Sequence, residues 1–223
     1  MIANVLFDLD GTLTDPFTGI TRCIHHALDG LGRSTPPGDD LAWCIGPPLR
    51  ESFATLLDTD DDAVLDDALA LYRKRFGDVG MFENAVYDGV AEMLGAAKAG
   101  GLRLFVATSK PHVFARPIVA LFKLEEFFDD VWGSELDGTR TEKAKLLKWG
   151  LNKHRLAATT TLMVGDRRHD TEGAKANGAR ALAVSYGYGT IAELQAAGPD
   201  HLCGSPAEVT DVILQLSARK TES

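Results

Sequence analysis

The stretch NVLFDLDGT, residues Asn4 to Thr12, places two aspartates, Asp8 and Asp10, directly after a short apolar run. An uninterrupted run of this kind is typical of a parallel strand that helices cover on both faces. Asp8 therefore comes where the strand ends and water becomes accessible. Carboxylates are costly at such a place unless a cation or a reaction requires them. The stretch thus predicts a functional site at the carboxyl end of the first strand.

Short apolar runs and helical patterns alternate along most of the chain. Strands are predicted at residues 3–7, 102–107, 130–132, 161–164, 179–184 and 201–203. Helices are predicted between most of them, at residues 90–99, 143–151, 170–177 and 191–197. This alternation predicts an α/β fold, a doubly wound parallel sheet covered by helices.

Residues 16–80 interrupt the alternation. They offer no strand pattern, but they contain helical patterns at residues 19–31, 49–57 and 62–76, separated by proline pairs. About 65 residues are too many for a connection between two elements of a compact domain. We therefore predict an α/β core of residues 1–15 and 81–223, with a small all-helical cap domain inserted at residues 16–80.

The composition is typical of a soluble globular protein, with 45% hydrophobic and 25% charged residues in a chain of 223. A formal net charge of -9 disfavours nucleic-acid binding, because phosphate backbones select clustered lysines and arginines. Three widely spaced cysteines favour a reducing compartment. Because no signal peptide and no membrane span is recognisable, we expect a cytoplasmic protein. Lys220 to Ser223 is expected to be a frayed tail.

Four segments that end strands, or closely follow them, carry reactive side chains. These side chains are Asp8 and Asp10 in FDLDGT, Thr108 and Ser109 in VATSKP, Lys143 in GTRTEKAK, and Asp166 and Asp170 in VGDRRHD. Ligands of a doubly wound sheet bind at the carboxyl ends of its strands. Four acids, one or two hydroxyls and a lysine at that edge predict a site that binds both a metal ion and a phosphate group.

In this order, the segments resemble the four motifs of the haloacid dehalogenase superfamily, and the match covers nearly the whole chain. The matching residues are Asp8 to Thr12 for DxDx(T/V), Thr108 for the hydroxyl after an apolar strand, Lys143, chosen over Lys145 and Lys148, and Gly165 to Asp170 for GDxxxD. Each motif alone is weak, but four in the right order are a strong signal. The segments YDGV, TSKP and SELDGTRTEKA are similar to the phosphoglycolate phosphatase-like and 5'-nucleotidase-like branch.

The resemblance implies a Mg²⁺-dependent phosphomonoester hydrolase. Asp8 is the expected nucleophile, which forms an aspartyl-phosphate, and Asp10 is the expected general acid and then general base. Mg²⁺ would be bound by Asp8, by the backbone carbonyl of Asp10 and by Asp166. Asp170 would support the metal or orient the lysine, although a first-turn helix acid is an alternative interpretation.

The resemblance also implies how the substrate would be bound. Thr108, the backbone of Ser109 and Lys143 would contact the phosphate group. In the cap, Arg50 could reach a phosphate or carboxylate of the substrate, and a surface arginine at a helix start is an equally good interpretation. The expected partner is a small phosphorylated metabolite, neither nucleic acid nor membrane, and the expected assembly is a monomer or homodimer.

Two alternatives to a phosphatase remain at this point. Within the family, dehalogenases and phosphonatases lack the second aspartate, whereas phosphatases and phosphomutases keep it, so a phosphomutase is also compatible with Asp10. From another class, a phosphoaspartate regulatory protein would use a similar cluster of acids, threonine and lysine to hold a long-lived aspartyl-phosphate. Asp10 and the helical cap argue against this second alternative.

Overall fold

The computed structural model describes residues 1–218, and the tail expected at Lys220 to Ser223 lies outside them. The strands are β1 (Asn4–Phe7), β2 (Thr14–Asp15), β3 (Ala85–Val86), β4 (Arg103–Pro111), β5 (Asp130–Ser134), β6 (Thr161–Gly165), β7 (Arg180–Val184) and β8 (His201–Cys203). The α-helices are α1 (Phe17–Gly30), α2 (Leu49–Leu57), α3 (Asp62–Asp78), α4 (Val90–Ala99), α5 (His112–Leu121), α6 (Lys143–His154), α7 (Arg168–Ala176), α8 (Ile191–Ala197) and α9 (Pro206–Ser217).

The main sheet has six strands in the order β5-β4-β1-β6-β7-β8, and its neighbouring strands are parallel. This arrangement confirms the predicted doubly wound α/β fold. From β1 the chain continues through β4 and β5 on one side and through β6, β7 and β8 on the other. Phe7 accordingly pairs with Val106 of β4 and with Val164 of β6. The carboxyl end of β1 thus lies where the winding reverses, which is where such sheets bind ligands.

The apolar runs form the core because both faces of the sheet are covered. Leu6, Phe105 and Met163, on three neighbouring strands, pack with Trp132 and with Leu146 of α6. Val5 and Phe7 alternate with Leu6 along β1 and are also fully buried. Each large apolar side chain buried in this way contributes roughly 1.5–3 kcal/mol. The core fixes the directions of the strands, and therefore the positions of the residues that follow them.

Strand β4 is longer than the sequence pattern predicts. The predicted strand ends at Ala107, whereas β4 continues to Pro111. An irregularity between Ala107 and Pro111 shifts the pairing with β5. The backbone therefore stays extended through Thr108, Ser109 and Lys110, which are less apolar than the preceding residues. Helix α6 likewise runs past the predicted end at residue 151, to His154.

The chain divides into two compact units, Met1–Thr14 with the chain from Val86 onward, and Asp15–Ala85. The second unit has its own core, in which Phe53 packs edge-on against Tyr72 and Tyr72 stacks on Phe76. Its elements between residues 17 and 82 are helices and 3₁₀ turns. Its action as a cap, with bounds at residues 16 and 80, stays a prediction.

None of the helices in residues 1–218 combines the length and the apolar character that crossing a membrane requires.

Candidate active site

Three of the four predicted acids meet at the carboxyl end of the sheet. Asp8 follows β1, Asp166 follows β6, and Asp170 lies in the first turn of α7. Carboxylate oxygens of these residues lie within 4.8 Å of one another, and all three side chains are buried. The parallel pairing of β1 with β6 is the cause, since it ends both strands at the same edge of the sheet.

Asp8 is oriented by its own backbone and by a lysine. Its N–H donates to the carbonyl of Val164 at 2.9 Å, which continues the pairing of β1 with β6 by one residue. Its Oδ1 accepts a hydrogen bond from the Leu9 N–H at 2.8 Å, and its Oδ2 lies 3.1 Å from Nζ of Lys143. Both carboxylate oxygens therefore have defined positions in the site.

Lys143 lies between two of the acids. Its Nζ is 2.7 Å from Oδ1 of Asp170 and donates to the carbonyl of Ala107 at 2.9 Å, in addition to its contact with Asp8. The side chain is only 3% exposed. Burial by itself would lower the pKa of Lys143, but Asp170 and Asp8 outweigh it and raise the pKa to about 12. The ammonium group therefore stays charged.

The alternative lysines lie elsewhere. Lys145 is exposed and pairs with Glu142 on the surface of α6, at 2.6 Å. Lys148 is also exposed. Of the three candidates, Lys143 is the one that the structure brings to the acids.

The three carboxylates together carry more negative charge than Lys143 can balance. Burial, together with the negative charges of Asp170 and Asp8, raises the pKa of Asp166 well above its ordinary value of 3.8. Burial and the charge of Asp8 raise the pKa of Asp170 to about 6 even though Lys143 opposes the shift. Closely packed carboxylate oxygens with too little positive charge fit a hard divalent cation, which prefers oxygen ligands.

Asp170 also belongs to the first turn of its helix. Its Oδ2 accepts a hydrogen bond from the Arg167 N–H at 3.1 Å, as part of a capping box. The same carboxylate contacts Lys143 through Oδ1. One oxygen thus caps the helix and the other contacts the lysine, while the predicted support of a metal stays a prediction.

Asp166 is held by a loop that the sequence analysis did not single out. The Tyr188 N–H donates to Oδ2 of Asp166 at 2.8 Å, and the Thr12 hydroxyl lies 3.4 Å from Oδ1. Tyr186, in the same loop, donates its hydroxyl hydrogen to the carbonyl of Thr12 at 3.0 Å. The segment SYGYG, residues 185–189, therefore ties the end of β7 to the first motif.

Glycines allow the loop of residues 185–189 to lie close to the first motif and to Asp166. A Cβ on Gly187 would collide with the carbonyl oxygen of Gly11 and with the side chain of Asp166. Gly11 has a positive φ of 81°, and a Cβ there would collide with the Asp166 carboxylate. The glycine spacing in residues 185–189 is a signal that could have marked the loop in the sequence.

The carboxylate of Asp10 lies outside the group of acids formed by Asp8, Asp166 and Asp170. Its Oδ2 forms an ion pair with Nζ of Lys110, a residue that the sequence analysis did not select. Burial raises the pKa of Asp10, although Lys110 opposes the shift. The expected metal contact of Asp10 was through its backbone carbonyl, so the position of its side chain does not contradict that prediction.

Thr108 and Ser109 lie at the end of β4 with different local roles. Thr108 is buried, and its hydroxyl oxygen accepts a hydrogen bond from the Lys110 N–H at 3.2 Å. The Ser109 hydroxyl donates to the carbonyl of Thr141 at 2.9 Å, which holds the segment before α6. The hydroxyl of Ser109 is thus used within the protein, and its predicted phosphate contact would come from the backbone.

Arg50 belongs to the inserted unit, at the start of α2. Its guanidinium group lies 2.5 Å from Oδ1 of Asp66 and also pairs with Asp62, both on α3. All three side chains are exposed. These ion pairs join two helices of the unit, and the predicted contact of Arg50 with a substrate stays a prediction.

A buried group of acids with a lysine, at the point where a doubly wound sheet reverses its winding, is compatible with the α/β proteins that bind or transfer phosphoryl groups. The family model described as haloacid dehalogenase-like hydrolase matches residues 5–184. The chain belongs to this family.

Curated relatives agree with the family. A 5'-nucleotidase from Pseudomonas aeruginosa is 46% identical over 210 residues, which cover 94% of this chain and 95% of that protein. The tyrosine-protein kinase PtkA from Mycobacterium tuberculosis is 37% identical over 83% of this chain, and the matched part spans 62% of the kinase. A phosphoglycolate phosphatase from Photobacterium profundum is 29% identical over 95% of this chain and 96% of its own length.

The fold also matches solved structures. A crystal structure described as a predicted phosphatase from Clostridium acetobutylicum superposes with a TM-score of 0.92 at 38% identity, covering 96% of this chain and 100% of the other. Family, relatives and fold together make this chain a hydrolytic enzyme, a phosphatase, as the motifs predict. They favour the enzyme over the regulatory protein.

Proposed function

We propose that the protein is a Mg²⁺-dependent phosphomonoesterase that hydrolyses a small phosphorylated metabolite through an aspartyl-phosphate on Asp8. One observation carries the proposal. Carboxylate oxygens of Asp8, Asp166 and Asp170 lie within 4.8 Å of one another, and the buried Lys143 pairs with Asp8 and Asp170. This arrangement supports the proposal, because a nucleophile, a metal ion and a fixed positive charge would then act in one place.

The residues that would hold the metal are Asp8, Asp166 and the backbone carbonyl of Asp10, with Asp170 in support. Their excess of negative charge over Lys143 supports this assignment, because a divalent cation would supply the missing charge. When bound, Mg²⁺ offsets the repulsion between the carboxylate nucleophile and the anionic phosphate.

In the first step an oxygen of Asp8 attacks phosphorus, and the bond between phosphorus and the ester oxygen breaks. Asp10 gives its proton to that oxygen, so the alcohol leaves neutral and Asp10 becomes a carboxylate. Burial raises the pKa of Asp10, which favours the protonated form that a general acid needs. Lys143 stays charged and stabilises the negative charge on the phosphoryl oxygens.

In the second step a water molecule attacks phosphorus, and the bond between phosphorus and Asp8 breaks. Asp10 accepts a proton from the attacking water and is protonated again. Inorganic phosphate leaves, and Asp8 returns to its carboxylate form. Thr108, together with the backbone of Ser109, is proposed to donate hydrogen bonds to the phosphoryl oxygens in both steps.

For the substrate we infer a nucleoside 5'-monophosphate first and phosphoglycolate second. The order follows the identity to the two named relatives, 46% for the 5'-nucleotidase and 29% for the phosphoglycolate phosphatase. A phosphomutase keeps the same aspartates. Incubation with a sugar phosphate distinguishes the two functions, because a mutase yields an isomerised sugar phosphate and a phosphatase yields free phosphate.

The proposal is tested by phosphate release from p-nitrophenyl phosphate, adenosine 5'-monophosphate and phosphoglycolate. We expect release with Mg²⁺, none after chelation, and none from Asp8→Asn. Asp129→Asn is the matched control, since Asp129 is an exposed aspartate that pairs with Arg103 on the surface. Turnover by Asp8→Asn at the wild-type rate would refute the aspartyl-phosphate mechanism.

A further inference from the structure

Lys110 is the second buried lysine of the site. It lies on β4, two residues after Thr108, and its Nζ pairs with Oδ2 of Asp10. The two side chains are only 7% and 12% exposed, respectively. A buried ion pair loses much of its hydration, so it defines a position more reliably than it adds stability.

The two oxygens of the Asp10 carboxyl group have different surroundings. Oδ2 faces Lys110, whereas Oδ1 is buried and has no hydrogen-bond partner among residues 1–218. An unsatisfied buried carboxylate oxygen is unfavourable unless it interacts with something else. In this site Oδ1 is therefore the oxygen that can meet a reacting group.

The two lysines divide the acids between them. Lys143 contacts Asp8 and Asp170, which lie in the group of acids that can hold a metal. Lys110 contacts Asp10, whose carboxylate is outside that group. One lysine thus serves the nucleophile, and the other serves the acid two residues further along the chain.

We propose that Lys110 is a positioning residue for proton transfer. Its ammonium group fixes Oδ2 of Asp10, keeps this carboxyl group apart from the metal-binding acids, and leaves Oδ1 to exchange the proton. In the first step that proton goes from Oδ1 to the leaving oxygen, and in the second step Oδ1 takes one from water. The inference rests on the proposed function, because it assigns a helper to the general acid and base of that reaction.

Loss of Lys110 affects the two steps unequally for a good leaving group. p-Nitrophenolate leaves with little help from an acid, so Asp8 is still phosphorylated. Hydrolysis of the aspartyl-phosphate still requires a base that is correctly oriented toward water. The phosphorylated enzyme therefore accumulates in the variant, which neither a folding defect nor a weaker substrate contact would produce.

The experiment is rapid-quench kinetics of Lys110→Met with p-nitrophenyl phosphate and Mg²⁺. We expect a burst of about one p-nitrophenolate per enzyme, then steady turnover about 10²-fold slower than wild type. Because only the second step slows, KM should fall together with kcat, and kcat/KM should change less than about threefold. Acid-quenched protein should carry the phosphate. With an alkyl phosphate, which needs a proton on its leaving oxygen, no phosphorylated enzyme should accumulate.

Two further variants complete the test. Lys110→Arg keeps the positive charge and is expected to remove the burst and to recover most of the turnover. Lys145→Met is the matched control, because it removes an exposed lysine whose partner is Glu142, and it should behave as wild type. If Lys110→Met does not fold, as judged by circular dichroism, Lys110→Gln takes its place in the same measurements.

The outcomes separate the inference from the proposed function. A wild-type protein that releases no phosphate from any of the substrates overturns both. An active wild type with a Lys110→Met variant that shows a raised KM, an unchanged kcat and no burst overturns the inference alone, since Lys110 would then contact the substrate.

Discussion

The sheet of the core unit carries a cluster of ionisable side chains at each of its ends. At the carboxyl ends of the strands, Asp8, Asp166 and Asp170 lie close together, and Lys143 pairs with Asp8 and Asp170. At the start of β5, by contrast, the single carboxylate of Asp130 has two cations and a histidine as partners. Its partners are Arg116 at 2.7 Å, Lys153 at 2.8 Å and His154 at 2.9 Å.

The charge balance of the two clusters is opposite. Burial by itself would raise the pKa of Asp130, but Lys153, His154 and Arg116 outweigh it and lower the pKa to about 2. At the other end of the sheet, the pKa values of Asp166 and Asp170 are raised. A carboxylate whose charge is balanced by positive groups can serve the fold alone. A group of carboxylates without enough positive charge is unfavourable by itself and is typical of a site that binds a cation or performs a reaction. The comparison therefore separates a charge-balanced cluster from an unbalanced one within the same unit, and we propose that the unbalanced one is the functional cluster.

The largest expected effect is that of Lys143→Met, which removes the cation from the functional cluster. We expect kcat to fall by about 10²–10³-fold, because Lys143 is proposed to hold a fixed positive charge at the phosphoryl group. Removing one partner from buried ion pairs should also destabilise the metal-free protein, by about 3 kcal/mol. Steady-state kinetics and urea unfolding measure the two effects. Lys148→Met, at an exposed position of the same helix, should change neither kcat nor stability. A Lys143→Met variant as active as wild type would show that the cluster does not depend on this lysine.

Asp166→Asn should have the opposite effect on metal-free stability. Because burial and the neighbouring acids both disfavour the Asp166 carboxylate, its removal should stabilise the metal-free protein by about 1 kcal/mol. We also expect Mg²⁺ to raise the melting temperature of the wild type but not that of the variant. Thermal unfolding with and without Mg²⁺ measures both. If the metal-free variant were instead less stable than wild type, the negative charge of the three acids would already be balanced within the protein.

The contribution of Asp130 to the free energy of unfolding should depend on pH in the acid range. A lowered native pKa means that the stabilisation is present above the ordinary pKa of 3.8 and is lost as the pH falls toward about 2. The shift corresponds to about 2 kcal/mol, which screening by solvent reduces to about 1 kcal/mol. Asp130→Asn should therefore be less stable than wild type at pH 6, with a difference that shrinks between pH 4 and pH 2. Urea unfolding across that range tests this, and a difference independent of pH would contradict it.

Arg50→Ala should have the smallest effect. Arg50 lies between two acids, as Lys143 does, but its ion pairs with Asp62 and Asp66 are exposed. Exposed ion pairs contribute little, because water and salt screen them. We expect an unchanged melting temperature and a change of less than about threefold in kcat/KM. A large rise in KM with an unchanged melting temperature would instead support the predicted contact with a substrate.

Much of the fold was predictable because its strands are continuous apolar runs. The run at Asn4–Phe7 is buried on both faces, and helix α4 begins and ends as its pattern predicts. The end of β4 was not predictable. Its last residues are less apolar, and their extended backbone depends on an irregular pairing with β5 that local patterns do not encode.

The candidate site divides in the same way. The meeting of Asp8, Asp166 and Asp170 follows from their positions after parallel strands or in the helix that comes next. Lys110 was missed because a lysine after a strand usually reaches solvent, and its partner Asp10 lies 100 residues away in the chain. The hydrogen bond from the Tyr188 N–H to Asp166 could not be predicted, because nearly every residue has a backbone N–H and the residue type does not show where it donates.

The amino-acid sequence by itself determined the doubly wound parallel sheet, the family motifs and the edge of the sheet at which the acids lie. These features could be read from the sequence because hydrophobic periodicity and strand ends are local properties. Tertiary structure decided which lysine serves which acid, since an ion pair depends on distances between residues far apart in the chain. It also decided which cluster of charges is balanced, because burial sets how strongly each carboxylate responds to its neighbours.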